Sequence, residues 1–141
     1  MNTPRRDEHG SVTLWMATGS FVMMVLVGLA VDLGGQVHAQ QRAHDIAAQA
    51  ARSGGQEVQA APAIEGRTVL IDTTTARAAA QRYLAAAGVD GTVSVTGGDT
   101  ITVHTSGVYN TRFLPFIGIS HLTVTGTASA RLVRSLGGTP R

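Results

Sequence analysis

The side chains best suited to chemistry in this chain are its five histidines. His38 and His44 are six positions apart on a predicted helix, so they do not share one face as metal ligands spaced by four residues would. His104 and His121 lie on or beside predicted strands, and His9 lies near the N-terminus. Because no serine, histidine and aspartate constellation is recognisable around them, we interpret these histidines as solvent-exposed imidazoles.

Other residues that could form a reactive site are explained by local structure. The chain has no cysteine, which excludes a disulfide, a thiol nucleophile and a cysteine-based metal site. Gly97-Gly98 lies between two predicted strands and is not followed by the helix that a phosphate-binding loop requires. Asp72, Asp90 and Asp99 occupy turn or cap positions. The sequence therefore predicts no catalytic, cofactor-binding or metal site, no cofactor and no small-molecule substrate, which indicates a protein that is not an enzyme.

Charge and length limit the partners further. The formal net charge is +2 and, apart from Arg5-Arg6, the arginines are scattered singly. The basic patch of a nucleic-acid-binding protein is therefore missing, and no nucleic-acid partner is expected. A chain of 141 residues accommodates one small domain and a membrane anchor.

Residues 11–32 are predicted to form a transmembrane helix in contact with membrane lipid. The stretch Ser11–Val31 is uncharged, and as a helix it would be about 31 Å long, which matches a hydrocarbon core about 30 Å thick. Arg5 and Arg6 precede it, whereas Arg42 is the basic residue that follows closely, and this asymmetry favours a cytoplasmic N-terminus. We therefore predict a single-pass protein of the cytoplasmic (inner) membrane with a cytoplasmic leader at residues 1–10 and an extracytoplasmic C-terminal domain.

A cleaved secretory signal is the competing interpretation of the same segment. Val37-His38-Ala39 resembles a signal-peptidase site, and cleavage there would leave a mature chain that begins at Gln40. The apolar stretch is longer than the 7 to 15 residues or so of a typical signal core, and helix-forming sequence continues through the site, which favours the anchor.

A membrane-proximal helix is predicted over residues 33–53. It is rich in Ala, Gln and Arg, with a weak join or hinge at Gly34-Gly35 and a stop at Ser53-Gly54-Gly55. Small residues recur at every fourth position and form a ridge that would let another helix approach closely, either from the same domain or from a partner. The ridge consists of Gly35, Ala39, Ala43, Ala47 and Ala51.

Beyond a linker at residues 54–68, residues 69–134 are predicted to form a small α+β domain, followed by a flexible tail at 135–141. An Ala-rich helix ends at Gly88, which is suited to a left-handed cap. Strict alternation of apolar and polar residues predicts a hairpin around Gly97-Gly98 and a third strand near the C-terminus. We expect one helix packed on a three-stranded antiparallel sheet.

A short apolar segment between the second and third strands contains two of the four aromatic side chains of the predicted domain. It either closes the open end of the sheet or forms a contact for a partner or the lipid surface. This candidate contact loop consists of Phe113, Leu114, Phe116 and Ile117.

The order of these segments resembles that of TadE/TadG-like proteins of Flp (tight adherence) pilus assembly, particularly those of actinobacteria. The resemblance rests on the leader RRDEHGSVTLW, on Asp32-Leu33-Gly34-Gly35 after the apolar helix, and on the run RAHDIAAQAARSG. In the C-terminal half, ARAAAQRYLAAAG and VTGTASARLV are similar to the helix and final strand of TadE-like domains.

This resemblance implies a role in assembling a type IVc-like pilus used in cell adhesion. Pseudopilins of the family are cut after a Gly by a prepilin peptidase, and the corresponding bond here joins Gly10 and Ser11. The chain departs from the pseudopilin pattern at Trp15, where that pattern has Glu, and an indole suits a membrane interface. We therefore expect a membrane-anchored minor pilin-like component or assembly factor that contacts other pilus subunits through its N-terminal helix. The alternative is a small binding module released outside the cell.

Overall fold

The computed structural model describes residues 9–60 and 73–131, and in these ranges it has the predicted α+β fold. Its elements are helix α1 (His9–Ala60), helix α2 (Thr73–Ala87), strand β1 (Asp90–Thr96), strand β2 (Thr100–Asn110), a short 3-10 helix (Leu114–Ile117) and strand β3 (His121–Arg131). A long N-terminal apolar helix thus precedes a second helix and a three-stranded sheet.

Helix α1 is continuous over 52 residues, which corresponds to about 78 Å of helix. The predicted stop at Ser53-Gly54-Gly55 is wrong, and the predicted hinge at Gly34-Gly35 is not seen. Gly54 is buried, and a Cβ atom on it would lie 2.6 Å from Ile101 Cδ1 and 2.7 Å from the carbonyl oxygen of Ala76. The glycine therefore allows α1 to pack closely on the domain and does not end the helix. Residues 54–60 of the predicted linker are helical, and residues 61–68 lie outside the described part of the chain.

The Gly54→Ala substitution tests this explanation. Alanine usually stabilises a helix by about 1 kcal/mol relative to glycine, but here we expect a loss of about 2 kcal/mol in the free energy of unfolding because the new methyl group meets backbone. Chemical unfolding of the full-length chain in detergent measures the effect. Gly34→Ala is the matched control, since nothing lies within 4 Å of its Cβ position, and it should be neutral or stabilising.

The sheet has the predicted antiparallel topology, with strand order β1-β2-β3. The hairpin between β1 and β2 turns at Gly97 and Gly98, which both have positive φ angles (64° and 73°), a conformation that glycine adopts without a steric penalty. Alternation in β3 matches the prediction, because Val124 and Gly126 are buried while Thr123, Thr125 and Thr127 are exposed.

Two helices cover the inner face of this sheet, where the sequence analysis predicted one. Helix α2 lies mainly over β1, and α1 lies over β2 and β3. The C-terminal half of α1 therefore belongs to the domain core, which supplies the additional packing that so small a sheet requires. The central cluster consists of Ala47, Ala50 and Ala51 of α1, Ala76, Ala80 and Leu84 of α2, and Ile101 and Val103 of β2.

The end of α2 confirms the predicted cap. Gly88 has φ +65°, its N–H donates to the carbonyl of Ala85, and the N–H of Val89 donates to the carbonyl of Leu84, both at 3.1 Å. This pair of bonds is a Schellman motif, which satisfies carbonyls at the helix end and turns the chain into β1.

Candidate functional site

One side of α1 contacts the rest of the domain, and we call it the contact stripe. Its members recur every three or four residues, as one face of a helix requires. It begins within the apolar segment, at Gly28, and so extends further toward the N-terminus than the predicted ridge. The stripe consists of Gly28, Asp32, Gly35, Ala39, Ala43, Ala47, Ala50, Ala51 and Gly54, all buried or half-buried.

The predicted ridge lies wholly within this stripe. Ala43, Ala47 and Ala51 are buried, and Gly35 and Ala39 are half-buried. The partner of these residues is the chain's own domain, so they do not form a free surface for a second protein. Gly35 has a specific role, because a Cβ atom there would collide with the phenol of Tyr109, at 2.0 Å from its oxygen.

Strand β3 and helix α1 approach each other closely at Gly126. A Cβ atom on Gly126 would lie 2.3 Å from the carbonyl carbon of Ala43 and 2.5 Å from the amide nitrogen of His44. On β2, Thr105 is paired with Gly126, and its hydroxyl donates to the carbonyl of Ala43 at 2.9 Å. The buried hydrogen bond from Thr105 holds the helix against the sheet, and the absence of a side chain at Gly126 allows the two backbones to come this close.

Asp32 joins the end of the apolar segment to the loop that follows β2. Its side chain is 0% exposed, and its carboxylate accepts hydrogen bonds from the backbone N–H groups of Arg112, Phe113 and Leu114 at 2.7, 2.8 and 2.7 Å. Three donors around two oxygens suit the ionised carboxylate, which only accepts. Asp32 thus caps the 3-10 helix from a distant element, since Phe113 makes no side-chain cap.

The loop held by Asp32 is also closed by its own backbone, and we call residues 111–120 the pinned loop. The N–H of Thr111 donates to Ser120 O at 3.1 Å, and its hydroxyl donates to Ile119 O at 2.6 Å. Gly118, at φ +89°, lets the chain reverse after the 3-10 helix. The loop is therefore a defined structure, whose backbone hydrogen bonds are made partly within the loop and partly to Asp32.

The four predicted contact-loop residues differ in exposure. Leu114 is buried, whereas Phe116 is 90% exposed and Ile117 is 66% exposed. Phe113 is partly exposed and lies over Gly28, where a Cβ atom would be 2.8 Å from Phe113 Cβ. Leu114 therefore points into the interior, while the other three leave an apolar surface beside the apolar segment of α1.

The N-terminal part of α1 stands apart from the domain. All side chains of residues 12–27 are exposed although most are apolar, and Trp15 is among them. Among the described residues, α1 is the one helix that is long and apolar enough to cross a membrane. The backbones of Gly10 and Ser11 lie in the first turn of this helix. Residues 1–8 of the predicted leader (1–10) lie outside the described part of the chain, and its last two residues are the start of α1.

The histidines of the described domain lie on its surface. His38, His44, His104 and His121 are all exposed, and His104 pairs through Nδ1 with the hydroxyl of Thr127 at 2.9 Å. Within residues 9–60 and 73–131 no three acidic or histidine side chains are grouped as metal ligands. In the same ranges no buried side-chain nitrogen or oxygen lacks a hydrogen-bond partner. The candidate functional features of the described residues are thus the contacts between α1 and the domain. The sequence analysis missed the part that Asp32, Gly28 and Gly126 have in these contacts.

Comparison with known families agrees with the resemblance noted in the sequence. A family model described as putative Flp pilus-assembly TadE/G-like matches residues 10–57. The match covers the apolar segment and the whole contact stripe, while the similar stretches in the C-terminal half lie outside it. Searches of curated proteins and of solved structures found no match.

Proposed function

We propose that this chain, which carries a TadE/G-like pilus-assembly segment at residues 10–57, is a membrane-anchored minor pilin-like component or assembly factor of a Tad (Flp) pilus. Its N-terminus is in the cytoplasm, and its domain lies outside the cytoplasmic membrane. The family match supports a structural or assembly role in contact with other pilus components. In this proposal, lipid and neighbouring pilus subunits contact the N-terminal half of α1.

The observation that carries this proposal is the contrast between the two halves of α1. The half from Ala43 to Gly54 buries one face under the domain, whereas residues 12–27 expose their side chains on all sides. An apolar surface of this length is unfavourable in water and is suited to lipid or to other apolar helices. Because the ridge from Gly35 to Ala51 is occupied by the domain, a partner helix that packs closely on α1 would use the N-terminal half.

Continuity of α1 favours an anchored protein over a released binding module. A signal-peptidase cut after Ala39 would fall inside an unbroken helix. It would also remove Asp32, whose carboxylate holds the pinned loop, and Gly35, against which Tyr109 packs. The domain therefore depends on residues that a released module would lack.

The proposal predicts that loss of membrane insertion abolishes piliation. In a cell that makes Tad pili, deletion of this chain should remove or reduce surface pili, and the full-length chain should restore them. Val22→Arg combined with Val25→Arg should not restore them, because two charges cost about 5 to 7 kcal/mol at the helix centre and outweigh the apolar side chains. Electron microscopy counts the pili, and carbonate extraction measures insertion.

The matched control is Thr92→Arg with Ser94→Arg, two exposed positions on β1, which should restore piliation fully. Normal piliation in the deletion strain would contradict the pilus role. Restoration by the Val22→Arg, Val25→Arg chain would contradict the anchor. The intact mass of the membrane form separates the two roles, since a chain cut between Gly10 and Ser11 indicates a pseudopilin and an uncut chain indicates an assembly factor.

A further inference from the structure

We propose that the pinned loop is a second membrane contact, in which Phe113, Phe116 and Ile117 enter the outer interfacial layer of the bilayer beside α1. The inference rests on the proposed membrane span of α1. It assigns to the loop one partner, a lipid surface, among the three alternatives of the sequence analysis, which were closure of the sheet, a protein partner and the lipid surface.

The position of the loop along α1 is the first argument. Phe113 packs over Gly28, which lies three residues before Val31, the end of the uncharged stretch, and so about 4.5 Å inside it. Phe113 also shares a surface depression with Met24 and Val27. If the uncharged stretch occupies the hydrocarbon layer, the loop is therefore at the level of the lipid headgroups and outermost acyl carbons.

The chemistry of the loop is the second argument. Phe116 is 90% exposed and Ile117 is 66% exposed, although Asp32 and the internal bonds of the loop hold the backbone in place. The apolar face of an interfacial amphipathic helix is buried about 5 to 10 Å into the headgroup and acyl boundary, and the exposed side chains of this loop have the same chemistry. Arg112, at the start of the loop, is exposed and can extend its guanidinium toward lipid phosphates.

The way in which the loop is held also favours a lipid surface. Asp32 bonds to the three N–H groups at the start of the loop, so the apolar side chains are presented at a fixed height relative to α1. A loop that closed the sheet would bury its large side chains, but only Leu114 is buried. The fixed height suits a flat lipid surface.

Tryptophan fluorescence of the full-length chain in phosphatidylcholine and phosphatidylglycerol vesicles tests the proposal. The variant Phe116→Trp is made in a Trp15→Phe background, which removes the single native tryptophan. We expect its emission to be shifted to the blue and to be quenched by lipids brominated near the headgroup more than by lipids brominated deep in the chains. Thr92→Trp in the same background is the control. Its partner on β2, His104, is eight residues from Arg112, or about 26 Å of extended chain, so the new tryptophan should stay accessible to acrylamide.

A Phe116→Trp chain that acrylamide quenches as strongly as the Thr92→Trp chain would overturn the proposal. Blue-shifted emission that depends on protein concentration and not on bromolipid would also overturn it, by assigning the loop to a second copy of the chain. A third variant, Val22→Trp in the apolar segment, distinguishes failure of the loop contact from failure of the membrane span. Quenching by bromolipid at position 22 without quenching at 116 contradicts only the loop contact, whereas the absence of both contradicts the membrane span.

Discussion

Replacing Asp32 with alanine is expected to lower the free energy of unfolding of the domain by about 4 kcal/mol, because three N–H groups that are buried or partly buried lose a charged acceptor. The groups concerned are the N–H donors of Arg112, Phe113 and Leu114. Hydrogen exchange of the full-length chain in lipid nanodiscs should show these three amides exchanging far faster than in the wild type, since the loop is released before the sheet opens.

A graded series makes the Asp32 prediction specific. In Asp32→Asn the amide oxygen can keep the bonds to Phe113 and Leu114, which share Oδ2, and the bond from Arg112 to Oδ1 is lost. The expected loss is therefore smaller, about 1 to 2 kcal/mol. Asp45→Ala is the control on the same helix, because Asp45 is exposed, and it should leave the loop protected. Wild-type protection of Phe113 and Leu114 in Asp32→Ala would contradict the role assigned to this carboxylate.

Gly126→Ala is expected to destabilise the domain by about 3 kcal/mol, since overpacking against backbone cannot be relieved by a rotamer change. The new methyl carbon would lie 2.3 Å from the carbonyl carbon and 2.4 Å from the carbonyl oxygen of Ala43. Either α1 or β3 must move, and such a movement would weaken the bond from Thr105 to that carbonyl. Chemical unfolding of the full-length chain in detergent measures the loss.

Gly107→Ala is the matched control for Gly126. It lies on β2, and its Cβ position is 3.5 Å from Val124 Cγ2, an ordinary contact. Alanine there should change the free energy of unfolding by less than about 0.5 kcal/mol, as substitutions without steric conflict usually do. Equal stability of the Gly126→Ala and Gly107→Ala chains would show that α1 does not pack on β3 as described.

Local patterns were enough to predict the elements whose ends are set by nearby residues. Gly88 marked the end of α2 because a left-handed cap is a local requirement, and Gly97-Gly98 marked the hairpin for the same reason. The alternation through β3 predicted its buried face, because a strand with one covered face alternates strictly. The fold class followed from these elements.

Features set by distant residues were missed, for two different reasons. Gly54 disfavours a helix by its intrinsic propensity. In the folded chain the helix continues through Gly54, because the absence of a side chain allows close packing against Ala76 and Ile101. The sequence analysis places Asp32 at the end of the apolar helix and predicts no partner for it, because its partners are backbone N–H groups some 80 positions away that have no signature in the sequence. The isolated acid at the end of an apolar run, with Gly28 four residues before it, was the signal available.

Because α1 is one continuous helix, its N-terminal half and the domain packed on its C-terminal half move together as one rigid unit. With no joint at Gly34-Gly35, the part of the helix beyond Asp32 extends about 42 Å to Ala60. A tilt of about 20°, ordinary for a transmembrane helix, would sweep its far end sideways by about 14 Å. Turning α1 about its axis would turn the sheet with it, so any contact made by residues 12–27 would set the direction in which the sheet faces.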